Sequence, residues 1–175
     1  HPIREWPEVF SGQDIFVRVD TGQGRGHHEH VRTAGSHSKF GVPLFELDEL
    51  KRLADVVGAR IVGLHAHTGS GVLNPENWGK TGIRLAHLME GFPEVKYLDV
   101  GGGLGIPEKP NQQALNMDLL NKALLEVKNV ASNVQLWIEP GRFIVGHAGV
   151  LLTHVNQKKG KGEIRYLGVN TGMNS

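Results

Sequence analysis

Two hydrophobic patterns alternate along this chain. Short runs of valine, isoleucine and leucine are followed by longer stretches in which apolar residues recur every three or four positions. These are the patterns of a buried strand and of an amphipathic helix. The short runs predict strands over residues 15–20, 60–67, 95–100 and 134–138, and the longer stretches predict helices over residues 43–57, 75–90 and 113–131. Strands separated by helices are typical of right-handed, parallel β/α units.

The pattern changes after residue 142. Residues 145–155 and 163–169 both have strand character, and no helix fits between them, which predicts an antiparallel hairpin. A complete (β/α)8 TIM barrel has eight β/α units and about 250 residues. We therefore predict an α/β fold, in which about four units of a partial (β/α)8 TIM barrel occupy residues 1–146. The start of an antiparallel β domain would follow over residues 147–175.

Composition narrows the class of protein. The chain has 24 glycines among 175 residues, no cysteine and a formal net charge of +1. The lack of cysteine excludes disulfide scaffolds and Cys-ligated metal sites, and the balanced charge argues against a nucleic-acid binder. No apolar run is long enough to span a membrane, and the first residues lack a signal-peptide pattern. We expect a cytoplasmic protein without nucleic-acid or membrane partners.

Glycine and polar residues cluster directly after the predicted strands. In parallel β/α proteins, the carboxyl ends of the strands hold the active site. Gly101, Gly102 and Gly103 follow the third strand, and three residues without Cβ allow backbone N–H groups to surround a phosphate. The alternative is a flexible turn between strand and helix. The apolar strand immediately before the glycines favours phosphate binding.

Two histidines share one face at the end of the second predicted strand. His65 and His67 are two residues apart, so their side chains point to the same side of the strand. They could be a pair of metal ligands, or His67 could stack on a planar cofactor while His65 is a hydrogen-bonded core histidine. Ser70, between two glycines, can add a hydroxyl group to the phosphate site.

A carboxylate and a cation follow the fourth predicted strand, in the segment Glu139-Pro-Gly-Arg142. A carboxylate inside an apolar barrel needs a partner. A protonated ring nitrogen of a cofactor would be one, and an internal Glu139–Arg142 salt bridge is the alternative. The histidine-rich loop over residues 22–30 matches no metal-site spacing that we can defend. We interpret it as a lid or solvated loop and expect no metal site.

Taken in order, six motifs resemble those of the barrel-type pyridoxal-phosphate (PLP) decarboxylases, the group that shares the alanine racemase barrel. The motifs are Arg18-Val-Asp, Ser38-Lys-Phe-Gly, His65-Ala-His-Thr-Gly-Ser70, Leu98-Asp-Val-Gly-Gly-Gly103, Glu139-Pro-Gly-Arg142 and Gly168-Val-Asn-Thr-Gly-Met-Asn174. Within the group, the third and last motifs are most similar to those of diaminopimelate decarboxylases. The resemblance covers essentially the whole chain. It implies decarboxylation of meso-2,6-diaminopimelate to L-lysine, the last step of lysine biosynthesis.

The resemblance also implies a role for each matching residue. The implied cofactor-binding residues are Arg18, His67, Ser70, Gly101, Gly102, Gly103, Glu139, Gly141 and Arg142. His67 would stack on the pyridine ring and Glu139 would keep the ring nitrogen protonated, which makes these two the implied catalytic residues. Ser70 and the three glycines would hold the 5′-phosphate. Arg142 would contact the phosphate or a substrate carboxylate, and Arg18 would support the cofactor from its strand end.

The sequence departs from the family pattern in several places. The family's Schiff-base lysine lies in a Tyr-Ala-x-Lys-like segment of the first barrel strand, and no such segment is present. The family's Arg-Pro-x-x-Tyr segment and cysteine-bearing dimer loop are also missing, and Gly26-His-His-Glu-His30 resembles forms fused to an aspartate kinase. We therefore expect an internal fragment carrying the C-terminal half of the barrel. Its parent would be a homodimer acting on an amino acid, and the fragment alone would be inactive.

Other functions fit the sequence less well. Ornithine, arginine or lysine decarboxylases on the same barrel are the nearest alternative. A metal hydrolase of the amidohydrolase type also begins with His-x-His, but it needs further ligands on later strands, which end here in Gly-Gly-Gly and Glu-Pro-Gly-Arg. A PLP-carrying regulatory protein on this barrel would have no β domain after it, and the predicted hairpin argues against that class.

Overall fold

The computed structural model describes residues 1–22 and 39–172. They belong to two compact units, His1–Ile144 and Val145–Ser175, and each unit has its own β-sheet. The predicted lid lies outside the described residues from Gln23 onward, as do Ser38 of the second motif and Met173-Asn174 of the last.

The first unit alternates strands with helices. Its strands are β1 (Asp14–Asp20), β2 (Val42–Pro43), β3 (Arg60–His65), β4 (Tyr97–Gly102) and β5 (Gln135–Glu139). Its helices are α1 (Pro2–Glu5), α2 (Pro7–Phe10), α3 (Leu47–Val57), α4 (Glu76–Leu88), α5 (Met117–Val130) and α6 (Gly141–Val145), the last of which ends at the first residue of the second unit. Two 3-10 turns, Leu44–Glu46 and Met89–Gly91, precede α3 and follow α4.

All five strands of this unit are parallel, in the spatial order β2-β1-β3-β4-β5. Helix α3 leads from β2 to β3, α4 leads from β3 to β4, and α5 leads from β4 to β5. The arrangement is an open segment of a (β/α)8 barrel, which confirms the predicted fold class. The carboxyl ends of β1, β3, β4 and β5 therefore meet at one edge of the sheet.

The structure corrects the start of one predicted helix. Residues 42–46 form β2 and a 3-10 turn, so the helix predicted from residue 43 begins only at Leu47. Val42 pairs with Val19 of β1, and β2 is the outermost strand of the sheet. Pro43 is tolerated there because an edge strand does not need every backbone N–H.

Other boundaries move by a few residues. The helix predicted from residue 113 begins at Met117, because the Asn116 side chain accepts a hydrogen bond from the backbone N–H of Leu119 (3.0 Å) and caps the helix. Helix α3 ends as predicted before Gly58, which adopts a left-handed backbone with φ 78°. The short helices α1, α2 and α6 were not predicted.

The core of the first unit lies between the sheet and the helices. Its larger cluster of buried side chains includes Val17, Val19, Leu47, Leu50, Leu53, Leu64, Leu85, Leu98 and Val127. A smaller cluster contains Trp78, Val100, Leu104, Leu115 and Leu120. This second cluster joins α4 and α5 to the segment that follows β4, so it supports the edge of the sheet where the strands end.

The opposite face of the sheet carries aromatic rings. Phe16 of β1 stacks on Tyr97 of β4 and on Trp137 of β5, with ring centroids 5.6 Å and 5.1 Å apart. Gly63 of β3 pairs with both Phe16 and Tyr97, and a Cβ at Gly63 would lie 2.5 Å from the Phe16 ring. The missing side chain therefore leaves space for the rings to meet across β3.

The second unit contains the antiparallel pair β6 (Val155–Lys161) and β7 (Ile164–Val169). A hairpin in this region is confirmed, but the predicted first strand over residues 145–155 is wrong. The first strand begins where that prediction ended and covers most of residues 157–162, which the sequence predicted as the turn. Gly162, with φ 61°, lies in the two-residue connection, where hairpin turns favour positive φ. The assignment of residues 147–175 to the start of a larger β domain stays a prediction.

Among residues 1–22 and 39–172, no helix combines the length and the apolar character needed to cross a membrane.

The sheet-to-helix core can be tested with two leucines. Leu98 of β4 is fully buried, whereas Leu125 of α5 is 53% exposed. We expect Leu98→Ala to lower the free energy of unfolding by about 2–5 kcal/mol, because it removes buried methyl groups and leaves a cavity. Leu125→Ala should change it by less than about 0.5 kcal/mol. Urea unfolding followed by circular dichroism measures both values, and equal effects would contradict this description of the core.

Candidate functional site

Side chains from four strands meet at the carboxyl edge of the sheet. Arg18 of β1 pairs in register with His65 of β3, and His65 pairs with Asp99 of β4. Three residues further along β4, after a shift in register, Gly102 pairs with Glu139 of β5. Parallel pairing thus places residues that are far apart in sequence side by side, as the sequence analysis expected for this edge.

A turn of three glycines ends β4, and only glycine fits there. Gly101 and Gly103 have φ of 73° and 78°, a left-handed backbone that other residues rarely adopt. A Cβ on Gly102 would collide with the carbonyl oxygen of Glu139, and one on Gly103 would collide with the carbonyl oxygen of Gly69. The turn therefore lies directly between the end of β5 and the segment that follows β3.

Hydrogen bonds from neighbouring elements fix this glycine turn. Asp99 Oδ1 accepts from the Gly101 N–H (2.8 Å), and the Trp78 indole N–H donates to the Gly102 carbonyl oxygen (3.1 Å). The Gly102 N–H donates to His67 Nδ1 (3.2 Å). The neighbouring segment is attached as well, because the Val72 N–H donates to the Gly103 carbonyl oxygen (2.9 Å).

Sequence reasoning missed the roles of Asp99 and Trp78. Asp99 is only 6% exposed and Trp78 is completely buried. A carboxylate in the middle of an apolar strand was a visible signal, because a buried charge needs a partner. Nothing in the pattern of α4 separated Trp78 from the other core residues of that helix.

The two histidines face the carboxylate of Glu139. His65 Nε2 lies 3.4 Å from Glu139 Oε2, and His67 Nδ1 lies 4.0 Å from the same oxygen. His65 Nε2 is buried and has no hydrogen-bond partner among the described residues. The interpretation of His65 as a hydrogen-bonded core histidine is therefore wrong for this nitrogen, which lies near the Glu139 carboxylate without a hydrogen bond to it.

Burial shifts two pKa values at this edge in opposite directions. Desolvation, assisted by the nearby Arg18 guanidinium, lowers the pKa of His67. Desolvation raises the pKa of Asp99, against the hydrogen bond that its carboxylate accepts from Gly101. Both shifts disfavour charge, as expected for groups that lose contact with water. His67 is accordingly a neutral imidazole at neutral pH, with Nδ1 as an acceptor for Gly102.

Arg142 is bound to a different carboxylate from the one considered in the sequence. Its Nη1 donates to Glu108 Oε1 (3.0 Å), in the connection between β4 and α5. The internal Glu139–Arg142 salt bridge is not formed among the described residues. Glu139 faces the histidines instead, and Arg142 joins two of the connections that surround the site.

A depression of about 200 Å³ opens at this edge. It is lined by His67, Ser70, Gly71, Gly103, Leu104, Glu139, Gly141 and Arg142. Six of the nine predicted cofactor-binding residues are in this set. Of the other three, Gly101 and Gly102 form the turn next to it, and Arg18 is close enough to act electrostatically on His67 and Glu139.

Comparison with known families matches residues 3–146 to the family model described as "Pyridoxal-dependent decarboxylase, pyridoxal binding domain". The chain belongs to this family. Pyridoxal phosphate is therefore the cofactor that the pyridoxal-binding domain serves, which confirms the resemblance inferred from the six motifs.

Two curated relatives of this decarboxylase domain are diaminopimelate decarboxylases. The protein of Methanothermobacter thermautotrophicus is 40% identical over 94% of this chain, and that of Escherichia coli is 30% identical over 95% of it. The chain spans about two fifths of the length of each, 41% in both cases.

Solved structures share the fold. A crystal structure of a diaminopimelate decarboxylase aligns with 98% of this chain and 42% of that one, with a TM-score of 0.78 and 28% identity. A lysine decarboxylase from Selenomonas ruminantium aligns with 98% of this chain and 45% of that one, with a TM-score of 0.76. Its identity of 23% shows the common fold alone.

The residues of the decarboxylase domain fit a phosphorylated pyridine. The glycine turn offers backbone at a place where no Cβ can intrude, which suits close approach of a phosphate. Ser70 and Arg142 line the same depression, and a guanidinium group suits phosphate oxygens. A carboxylate, Glu139, and a neutral imidazole, His67, stand at the other side, where a protonated ring nitrogen and a flat ring find partners.

The lowered pKa of His67 gives a pH prediction. The imidazole should titrate below about 6.5, its value in an unfolded chain. As pH falls through 6.5, the unfolded chain takes up a proton that the folded protein resists, so stability should decrease. Imidazole NMR resonances, assigned with the His67→Gln variant, measure the titration. A midpoint at or above 6.5, or a loss of stability between pH 7.5 and 5.5 that His67→Gln does not reduce, would contradict the prediction.

Proposed function

We propose that this chain supplies the phosphate-binding and ring-binding residues of a diaminopimelate decarboxylase, which converts meso-2,6-diaminopimelate to L-lysine and CO₂. The observation that supports it most is the position of Glu139. This residue lies at the end of β5, with its carboxylate 4.0 Å from His67 Nδ1 and its backbone carbonyl directly beside the glycine turn. The names of the two relatives that are 40% and 30% identical support the choice of substrate.

The phosphate end of the proposed site uses backbone more than charge. Gly101, Gly102 and Gly103 would hold the 5′-phosphate against their backbone, and Ser70 would add its hydroxyl. The Gly103 N–H would be the donor, because the N–H groups of Gly101 and Gly102 already donate to Asp99 and His67. Because Asp99 and Trp78 already hold the turn, its shape does not depend on the ligand. Such preorganisation reduces the entropy that is lost on binding.

Arg142 and its neighbour Gly141 complete the proposed phosphate end. Both line the depression, and Arg142 is paired there with Glu108. The guanidinium group would contact the phosphate or the substrate carboxylate, either of which competes with Glu108 for it. Gly141 lies between Glu139 and Arg142, and its lack of a side chain leaves the depression open at that point.

The ring end of the proposed site uses His67 and Glu139. The neutral imidazole would stack on the pyridine ring, held in orientation by the Gly102 N–H. Glu139 would hold a proton on the ring nitrogen, and Arg18 would support the cofactor from the end of β1, where it acts electrostatically on Glu139. When bound, PLP withdraws electrons from the bond to the departing carboxylate.

The proposal assigns the lysine that bonds to the cofactor to a part of the enzyme outside these 175 residues. The absence of a Tyr-Ala-x-Lys-like segment supports this, and the chain by itself would not decarboxylate. We further propose that residues 147–175 are the first strands of a β domain. The complete enzyme would be a cytoplasmic homodimer.

A second candidate is another amino-acid decarboxylase on the same barrel. The fold of the Selenomonas ruminantium lysine decarboxylase agrees nearly as well as that of the diaminopimelate decarboxylase, with TM-scores of 0.76 and 0.78. Sequence identity, not fold, therefore favours diaminopimelate, and the substrate needs a direct test.

A chimera provides that test. This chain would replace the matching 41% of the Methanothermobacter thermautotrophicus enzyme, which supplies the remaining barrel and its lysine. We expect the chimera to release lysine and CO₂ from meso-diaminopimelate. The Glu139→Gln chimera should lose at least about 10²-fold in kcat, the size typical of removing one charge-stabilising group, whereas His87→Gln, at an exposed position of α4, should match the parent chimera.

Lysine release from diaminopimelate is measured by chromatography, and ornithine, arginine and lysine are each tested in separate assays as alternative substrates. If a folded, PLP-binding chimera decarboxylates one of these amino acids and not diaminopimelate, the second candidate function is correct and the first is wrong. Full activity of the Glu139→Gln chimera would contradict the role given to Glu139.

A further inference from the structure

Three side chains that can bind a metal converge at the carboxyl ends of β3 and β5. One ligand atom from each of His65, His67 and Glu139 lies within 4.8 Å of the other two. Two atoms bound to zinc at about 2.1 Å with tetrahedral geometry are about 3.4 Å apart. His65 Nε2 and Glu139 Oε2 are already at this separation, 3.4 Å, and His67 Nδ1 is 4.0 Å from the same oxygen.

The ligand atoms are available for a metal. His65 Nε2 is buried and lacks a hydrogen-bond partner among the described residues, a state that is unfavourable until some group satisfies it. His67 Nδ1 carries a lone pair and not a proton, because it accepts a long hydrogen bond from Gly102, 3.2 Å, and a metal at this nitrogen would replace that bond. The Glu139 side chain is 51% exposed and can adjust its position at little cost.

The charge around the three side chains is compatible with a cation. Asp99 acts electrostatically on both histidines and on Glu139, which gives two carboxylates next to two imidazoles. Arg18 supplies one positive charge that opposes the metal. Two carboxylate side chains and one guanidinium group therefore surround the histidines.

We propose that His65, His67 and Glu139 bind one zinc-class divalent cation when the cofactor is absent. Two imidazole nitrogens and one carboxylate oxygen leave a fourth position for water, as in open zinc sites, and nitrogen ligands favour zinc over magnesium or calcium. The spacing of the two histidines left this possibility open in the sequence, but the third ligand comes 72 residues after His67, and only the folded sheet places it beside them.

Metal and cofactor would then exclude each other. His67 and Glu139 are the residues proposed to hold the PLP ring, and neither can serve both ligands at once. This exclusion rests on the proposed function, whereas the metal site itself rests only on the three side chains.

Zinc titration by calorimetry tests the site on the 175-residue chain. The background carries His27→Gln, His28→Gln and His30→Gln, because the histidine-rich loop is a second source of ligands. We expect one zinc per chain in this background. His65→Gln and Glu139→Gln, made separately, should each weaken binding by more than about tenfold, since even loss of an outer partner of a metal ligand costs 10–100-fold. His87→Gln, exposed on α4, is the matched control and should leave binding unchanged.

Absence of stoichiometric binding in the background would overturn the proposal, and so would unchanged affinity in Glu139→Gln. If circular dichroism shows that His65→Gln does not fold, the affinity of Glu139→Gln alone tests the metal site, because half-exposed Glu139 tolerates an isosteric change. Adding PLP should weaken zinc binding in the background. Tight zinc binding that PLP does not alter would leave the metal site standing and contradict the proposed cofactor site.

Discussion

The site depends on the close approach of three backbone segments. The glycine turn at the end of β4 lies against the carbonyl oxygens of Glu139 and Gly69, with no space for a Cβ at Gly102 or Gly103. This contact brings the end of β5 next to the segment after β3, and it is the reason that Glu139 faces His67. Asp99 and Trp78 hold the turn from β4 and α4. The helices thus contribute to the chemistry by fixing backbone that a ligand can approach.

The same close packing sets the electrostatics of the site. Burial lowers the pKa of His67 and raises that of Asp99, and groups with opposed shifts at one edge of a parallel sheet are typical of functional sites. His65 adds a buried nitrogen without a hydrogen bond. Such an arrangement is poor for stability and suited to a bound group that supplies the missing partner, whether a cofactor ring or a metal ion.

Much of the fold and site followed from sequence because the signals were local. The periodic apolar residues of α3 and α5 and the runs before each glycine or histidine motif predicted the β/α units. Strand β2, with two residues, is too short to have a period, and Pro43 suggested a helix start. The partner of Arg142, Glu108, lies 34 residues away in a connection without any pattern. Contacts of this kind depend on how the elements pack, which a single sequence does not encode locally.

The central claim is that the glycine turn binds a phosphorylated ring at the edge of the sheet. Amide NMR during a PLP titration tests it most directly. The account predicts that the largest shifts occur at Gly101, Gly102, Gly103 and Ser70, and that Gly103→Ala abolishes them. Shifts concentrated instead in the groove between α4 and α5, at residues such as Lys80 and Lys122, with no change at the glycine turn, would contradict it.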